Sequence, residues 1–275
     1  MIVSLIFALA LGLILSWAGE TAEPAMKDLI LATTTSTQDS GLLDALLPLF
    51  EKETGYRVKT IAVGTGQSLA MAAKGAADVV LCHDPESEKN LVDAGAVINY
   101  QLVMHNDYLI VGPPDDPAGV KGKSSVEALK AVMAGESFFI SRGDDSGTNK
   151  KELSLWKQAD LIPSGRKNYL ESGQGMGATL QMASEKRAYT LTDRGTYLSQ
   201  KGHLKLEVLS EGGKSLLNIY HVMQVNPEKF DRVNAKGAKA FVEFLIATQT
   251  QKMIGEFGRG KFGQSLFSPD AGKSM

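Results

Sequence analysis

Short apolar runs alternate with longer amphipathic stretches along most of the chain. The runs Leu29 to Ala32, Val58 to Val63, Val79 to Leu81, Leu102 to Val111, Phe138 to Ser141, Tyr189 to Leu191 and Leu217 to Val225 read as buried strands. Between most of them, the stretches Leu42 to Glu53, Leu69 to Lys74, Val126 to Met133, Asn149 to Ala159, Ala178 to Lys186 and Ala238 to Ile254 carry apolar residues at helical spacing. Strand then helix, repeated in this way, predicts an α/β fold with largely parallel sheets, whose ligands gather beyond the carboxyl ends of the strands. Pro48 falls inside the first helical pattern and predicts a kink or an early break there.

The run Leu102 to Val111 is longer than its neighbours, and Leu217 to Val225 is its natural return partner. Two long strands crossing between lobes make a hinge. The expected organisation is a discontinuous first lobe, residues 27–107 plus 223–275, with a second lobe, 108–222, inserted between its parts. The loop Pro113-Pro114-Asp115-Asp116-Pro117 suits a lobe entrance. Upstream, Ile2 to Trp17 is uncharged and apolar, and small residues flank Trp17, so 1–18 reads as a signal peptide that exports the protein to the periplasm. A membrane anchor is the competing reading; Glu20 and Glu23 are poor cytoplasmic anchors and speak against it.

Where a strand pattern gives way to a helix, the chain repeatedly places small and hydroxylic residues. These turns read TTTST (Thr33 to Thr37), GTGQS (Gly64 to Ser68), RGDDSGT (Arg142 to Thr148) and SGQGMG (Ser172 to Gly177). Small residues leave backbone N–H groups uncovered, hydroxyls add donors, and the following helix contributes a positive dipole end, so each turn is a candidate anion cradle. In the third, Arg142, Ser146, Gly147 and Thr148 can bring a guanidinium fork, hydroxyls and helix amides onto one anion. The plainer alternative makes Asp145 or Ser146 an N-cap and Arg142 its partner; for the first turn it is a strand end followed by a helix capped at Asp39 or Ser40.

Composition narrows the classes further. With 29 Lys and Arg against 31 Asp and Glu, the chain has no basic excess to attract nucleic acid. Cys82 is the single cysteine, so no intramolecular disulfide forms. The four histidines, His83, His105, His203 and His221, have neither HExxH spacing nor cysteine companions, and no resident metal or cofactor is expected. Each Gly-Lys-Ser step lacks the upstream glycine of a phosphate loop, and the glycines from Gly64 and from Gly173 stop short of a dinucleotide fingerprint. No GxSxG elbow and no nucleophile–base pair stand out, so a phosphoryl- or acyl-transfer enzyme is disfavoured and a binding protein is expected. A monomer is the expected state, though no residue pattern fixes it.

The stretches LATTTSTQDSGLLD (Leu31 to Asp44), GTGQSLAMAAKGAADVVLCHDP (Gly64 to Pro85), SRGDDSGTNKKELSLWK (Ser141 to Lys157) and ESGQGMGATLQMASEKRAYTLTDRGTYL (Glu171 to Leu198) resemble the periplasmic tungstate-binding component of ABC importers. That resemblance implies a two-lobed type II periplasmic binding protein, a Venus flytrap, that closes on tungstate or molybdate and delivers it to an inner-membrane permease. Carried over by position, the contacts come from Thr34, Thr35 and Ser36, from Thr65 and Gly66, and from Arg142, Ser146, Gly147 and Thr148. The Arg-x-Asp-x-Ser-Gly-Thr turn is also similar to that of phosphate-binding proteins, which keeps phosphate as the alternative ligand. Phosphate keeps a proton near neutral pH and can use a carboxylate acceptor, a part open to Asp84, whereas tungstate needs donors only. The plainer reading of Asp84, an Asp-Pro turn residue, is the favoured one.

Overall fold

A computed structural model of the protein describes residues 27–273. The first lobe opens with β1 (Lys27–Thr34), α1 (Thr35–Asp39), α2 (Leu42–Thr54), β2 (Tyr56–Val63), α3 (Thr65–Ala73), β3 (Val79–Cys82) and α4 (Pro85–Asp93). β1 lies between β2 and β3, parallel to both. Its alternate residues serve opposite faces, as strand geometry requires. Leu29 and Leu31 pack with α2 and the C-terminal helices α9 (Ala235–Ile246) and α10 (Thr248–Glu256), whereas Ala32 packs with Leu69 and Ala72 of α3.

β4 (Val97–Gly112) joins the two lobes. From Val97 to Asp107 it pairs with β9 (Leu217–Val225), and from Tyr108 to Gly112 it pairs with β7 (Thr190–Asp193) and β8 (Glu207–Ser210). β9 also pairs with β3, so it fills the gap between β3 and β4, and the short β10 (Ser268–Pro269) covers the free edge of β4. In the second lobe β5 (Phe139–Ser141) runs parallel to β6 (Tyr169–Glu171) and bridges to Tyr189 beside β7. Helices α5 (Ser125–Ala134), α6 (Gly147–Gln158), α7 (Met176–Glu185) and α8 (Arg194–Gln200) complete it. Ile110, Leu129, Phe139 and Trp156 fill one side of its core; Leu109, Val111, Ile140 and Leu180 fill the other.

Four expectations need correction. The sheets are mixed, because every pairing of β4 and β9 is antiparallel. The early break is absent: helix α2 runs on past Pro48 to Thr54, with Leu46 and Phe50 packed in the core beneath it. The single helix expected over Ala238 to Ile254 is two, separated where Ala247 takes an extended backbone (φ −65°, ψ 143°). The first turn leads directly into α1, which Thr34 caps, and α2 then starts after Gly41 rather than after Asp39 or Ser40. The signal-peptide reading falls outside the described residues. Among the described residues no helix is long and apolar enough to cross a membrane.

Candidate functional site

A cleft of about 980 Å³ is lined by both lobes. All the turns singled out in the sequence reach it: Thr35 and Ser36 from the first, Gly64, Gly66 and Gln67 from the second, Arg142 to Ser146 in part from the third, and Gly173 to Gly177 from the fourth. The N-termini of α3, α6 and α7 therefore open toward one space. Gly64 and Gly175, the N-caps of α3 and α7, supply no side-chain cap, which leaves those first-turn amides as donors for a bound group. The glycine at 173 has φ of +63°, a left-handed conformation that lets the chain fold back over the start of α7.

The candidate residues divide between the cleft surface and the layer beneath it. Thr35, Ser36, Gly66, Arg142 and Ser146 line the cleft. Thr34, Thr65, Gly147 and Thr148 are buried behind them. Thr34 Oγ1 accepts from Thr37 N at 3.3 Å, and it lies 2.6 Å from Thr37 Oγ1 and 3.1 Å from His83 Nε2. Gly147 sits so close to the first lobe that a Cβ there would stand 2.9 Å from Thr65 Oγ1.

The third turn is both a helix cap and a charged part of the cleft wall. Ser146 caps α6 by accepting from Asn149 N at 3.2 Å. Arg142, 7 % exposed, donates through Nε (3.1 Å) and Nη2 (2.5 Å) to Asp144 Oδ2, while Asp144 Oδ1 accepts from Ser146 N at 3.2 Å. The turn is held from below by Glu152, which accepts from Ser141 Oγ at 2.6 Å, from Trp156 Nε1 at 2.9 Å and from Tyr169 OH at 2.8 Å. Ser141 Oγ in turn accepts from Gly143 N and Asn149 Nδ2. Burial pushes the Glu152 carboxyl above the usual glutamate range, and those donors oppose the shift.

Asp84 does not line this cleft. It is the N-cap of α4, accepting from Ser87 N at 3.3 Å and Ser87 Oγ at 2.6 Å, as the turn reading expected. Lys150 Nζ stands 3.8 Å from Asp84 Oδ2 and 3.8 Å from the point a Cβ on Gly66 would occupy, so a second cation lies behind the cleft. At the rim, burial and the nearby Asp193 raise the Asp39 carboxyl above the usual aspartate range. Donor amides, hydroxyls and one guanidinium thus converge on a space large enough for an anion and its shell, a set that recognises acceptors.

A family model described as the PBP superfamily domain matches residues 19–249. The chain belongs to this superfamily. A tungstate-binding protein TupA from Peptoclostridium acidaminophilum is 49% identical over 93% of this chain and 90% of its own length. Among solved structures, the tungstate-binding protein TupA from Desulfovibrio alaskensis G20 has a TM-score of 0.81 and 44% identity, covering 89% of this chain and 99% of that one. The structure of the tungstate ABC transporter from Geobacter sulfurreducens has a TM-score of 0.76 and 48% identity, covering 84% and 98%. The two-lobed α/β architecture is common to this family.

Several residues around the cleft escaped the sequence reading. Lys150 was read only as part of a helical pattern, though its position two residues after Thr148 on α6 was a usable signal. Asp144 was visible as part of the turn, but its claim on Arg142 needed coordinates. Gln200 and Thr196 of α8 also line the cleft, from a helix too short to announce itself.

Proposed function

We propose that this protein captures tungstate, with molybdate as a close second, in the interlobe cleft and delivers it to an inner-membrane ABC permease. The observation that carries the reading is the convergence of three helix N-termini and Arg142 on one cleft. Likeness to proteins that bear tungstate in their names supports it. In this reading Thr35, Ser36, Gly66, Arg142 and Ser146 meet the anion directly, while Thr34, Thr65, Gly147 and Thr148 complete the donor layer behind them. The lobes are 27–107 plus 223–275 and 108–222, moving about β4 and β9. The protein works in the periplasm as a monomer, binds no nucleic acid and catalyses no reaction.

Phosphate is the ligand this arrangement has to reject. Its protonated oxygen wants an acceptor, and Asp84 is engaged by its own helix. Of the carboxylates that line the cleft, Asp144 is taken up by Arg142 and Ser146 N, which leaves Asp39 and Asp145 as the acceptors phosphate would have to use. Calorimetric titration with tungstate, molybdate, sulfate and phosphate side by side tests the reading. Tungstate and molybdate are expected to bind far more tightly than phosphate; phosphate binding at least as tightly as tungstate would make the protein a phosphate carrier.

A further inference from the structure

One imidazole touches the first-lobe turn, the crossing strand and the second lobe together. His83 directly follows β3 and is 7 % exposed. Its Nε2 lies 3.1 Å from Thr34 Oγ1 and 3.4 Å from Ser36 Oγ. Nδ1 lies 2.8 Å from Asn218 Oδ1 on β9. On the third side, Cε1 is 2.8 Å from the point where a Cβ on Gly147 of α6 would stand. We infer that His83 is a positioning residue that couples closure of the lobes to the donor geometry of the Thr34–Ser36 turn. The inference rests on the binding reading given above.

The hydrogen-bond directions follow from the neighbours. Asn218 Nδ2 donates to Asn106 Oδ1 at 2.8 Å and to Tyr220 OH at 3.0 Å, which turns the Asn218 carbonyl toward the imidazole. The proton of a neutral His83 then sits on Nδ1, and Nε2 is left as an acceptor for the Thr34 hydroxyl. Thr34 spends its proton inward and uses its lone pairs on Thr37 N, which fixes the first turn of α1 and leaves Thr35 and Ser36 facing the cleft. Tyr220 covers the ring, with centroids 4.8 Å apart, and Gly147 covers its edge. When α6 withdraws, water gains access to that edge and competes with Thr34 for Nε2. The order of the turn therefore depends on the second lobe being in place.

Gly147 is needed for space rather than for backbone conformation. It lacks a positive φ, so its backbone does not require glycine. Space does: a methyl there meets His83 Cε1 and Thr65 Oγ1 at 2.8 and 2.9 Å.

The test uses Gly147→Ala, His83→Asn and His83→Gln in the full protein, with tungstate calorimetry, thermal unfolding, and solution scattering with and without tungstate. Gly147→Ala keeps the backbone amide and a good helix former, and adds only the methyl. It should weaken tungstate binding by at least about tenfold and abolish the ligand-induced decrease in radius of gyration, with the unliganded melting temperature little changed. The Asn variant reaches Asn218 but not Thr34 and should lose about as much; the Gln variant reaches Thr34 and should recover most of it. If Gly147→Ala closes and binds within about twofold of the wild type, or if Asn and Gln lose affinity equally, the coupling is refuted. The wild-type titration separately decides the binding reading. Should another oxyanion be the one that binds, the variants are compared with that anion; if none binds, there is no closure to couple and both readings fall.

Discussion

Replacing Arg142 with alanine is the most informative perturbation of the cleft. The guanidinium is 7 % exposed and donates twice to Asp144 Oδ2, so its removal deletes a cation and also leaves a carboxylate unopposed at the cleft wall. At about 4 Å and an effective dielectric near 20, each unit of charge interacts by about 4 kcal/mol. A dianion doubles the attraction to Arg142, and Asp144 cancels part of it. Truncating one partner of a buried charge pair costs about 2–5 kcal/mol, so affinity should fall by roughly 30- to 5000-fold. Arg142→Lys should recover only part, because the planar fork is lost. Asp144→Asn keeps an acceptor for Ser146 N while removing the competing charge. In the Arg142→Ala background it should restore some affinity, and alone it should tighten binding. Calorimetry on the four corners of this cycle measures the coupling directly. Arg142→Ala within about threefold of wild type, or an Asp144→Asn variant that only weakens binding in both backgrounds, would refute the reasoning.

Other outcomes follow from the same structure. Tungstate should reduce the radius of gyration as the lobes rotate about β4 and β9, and an unchanged scattering profile at saturation would remove the hinge. Asp84→Asn should leave tungstate affinity within a few-fold and stability unchanged, whereas Asp84→Ala should cost about 1 kcal/mol of stability through the lost α4 cap, read by urea unfolding. Tungstate binding should stay flat between about pH 6 and 8, where phosphate changes its protonation; a strong slope there would indicate a titrating group in contact with the ligand. Burial holds the His83 imidazole below the ordinary histidine value, against the opposing pull of Glu88, Asp193 and Asp84. The unfolded chain then takes up a proton first, so stability should fall as pH drops below about 6.5 and through the lower folded-state value. His83→Gln should flatten that part of a melting-temperature profile.

Much of the fold was legible because strand length and helical period are properties of single segments. The four glycine- and hydroxyl-rich turns announced themselves through residue size, and their common destination followed from α/β geometry. What escaped depended on pairing across the chain. Antiparallel β9 beside β3 leaves no mark in either segment, because the run Leu217 to Val225 has the same apolar pattern in either direction. The segment Pro85 to Asp93 buries only Glu88 fully and has Leu91 and Val92 as its only large aliphatic residues, so α4 offers few apolar positions to find. His83 stood out only as one of four histidines without metal-ligand spacing, because Asn218, its partner, is 135 positions away. Thr34 and Thr65 looked like cleft donors in sequence; only the close approach of Gly147 and His83 places them a layer deeper.

The insertion of β9 between β3 and β4 also sets an order of assembly. As the chain emerges from its N-terminus, β1, β2 and β3 can associate early, but the slot beside β3 stays empty until residues 217–225 arrive, and the helix layer over that sheet waits for α9. Meanwhile the second lobe, whose strands come from one uninterrupted stretch after β4 begins, can consolidate first. Because such long-range pairing is slow, the nascent first lobe remains an extended, unpaired edge for most of synthesis. A chain with this topology stays threadable until residues 217–225 are made.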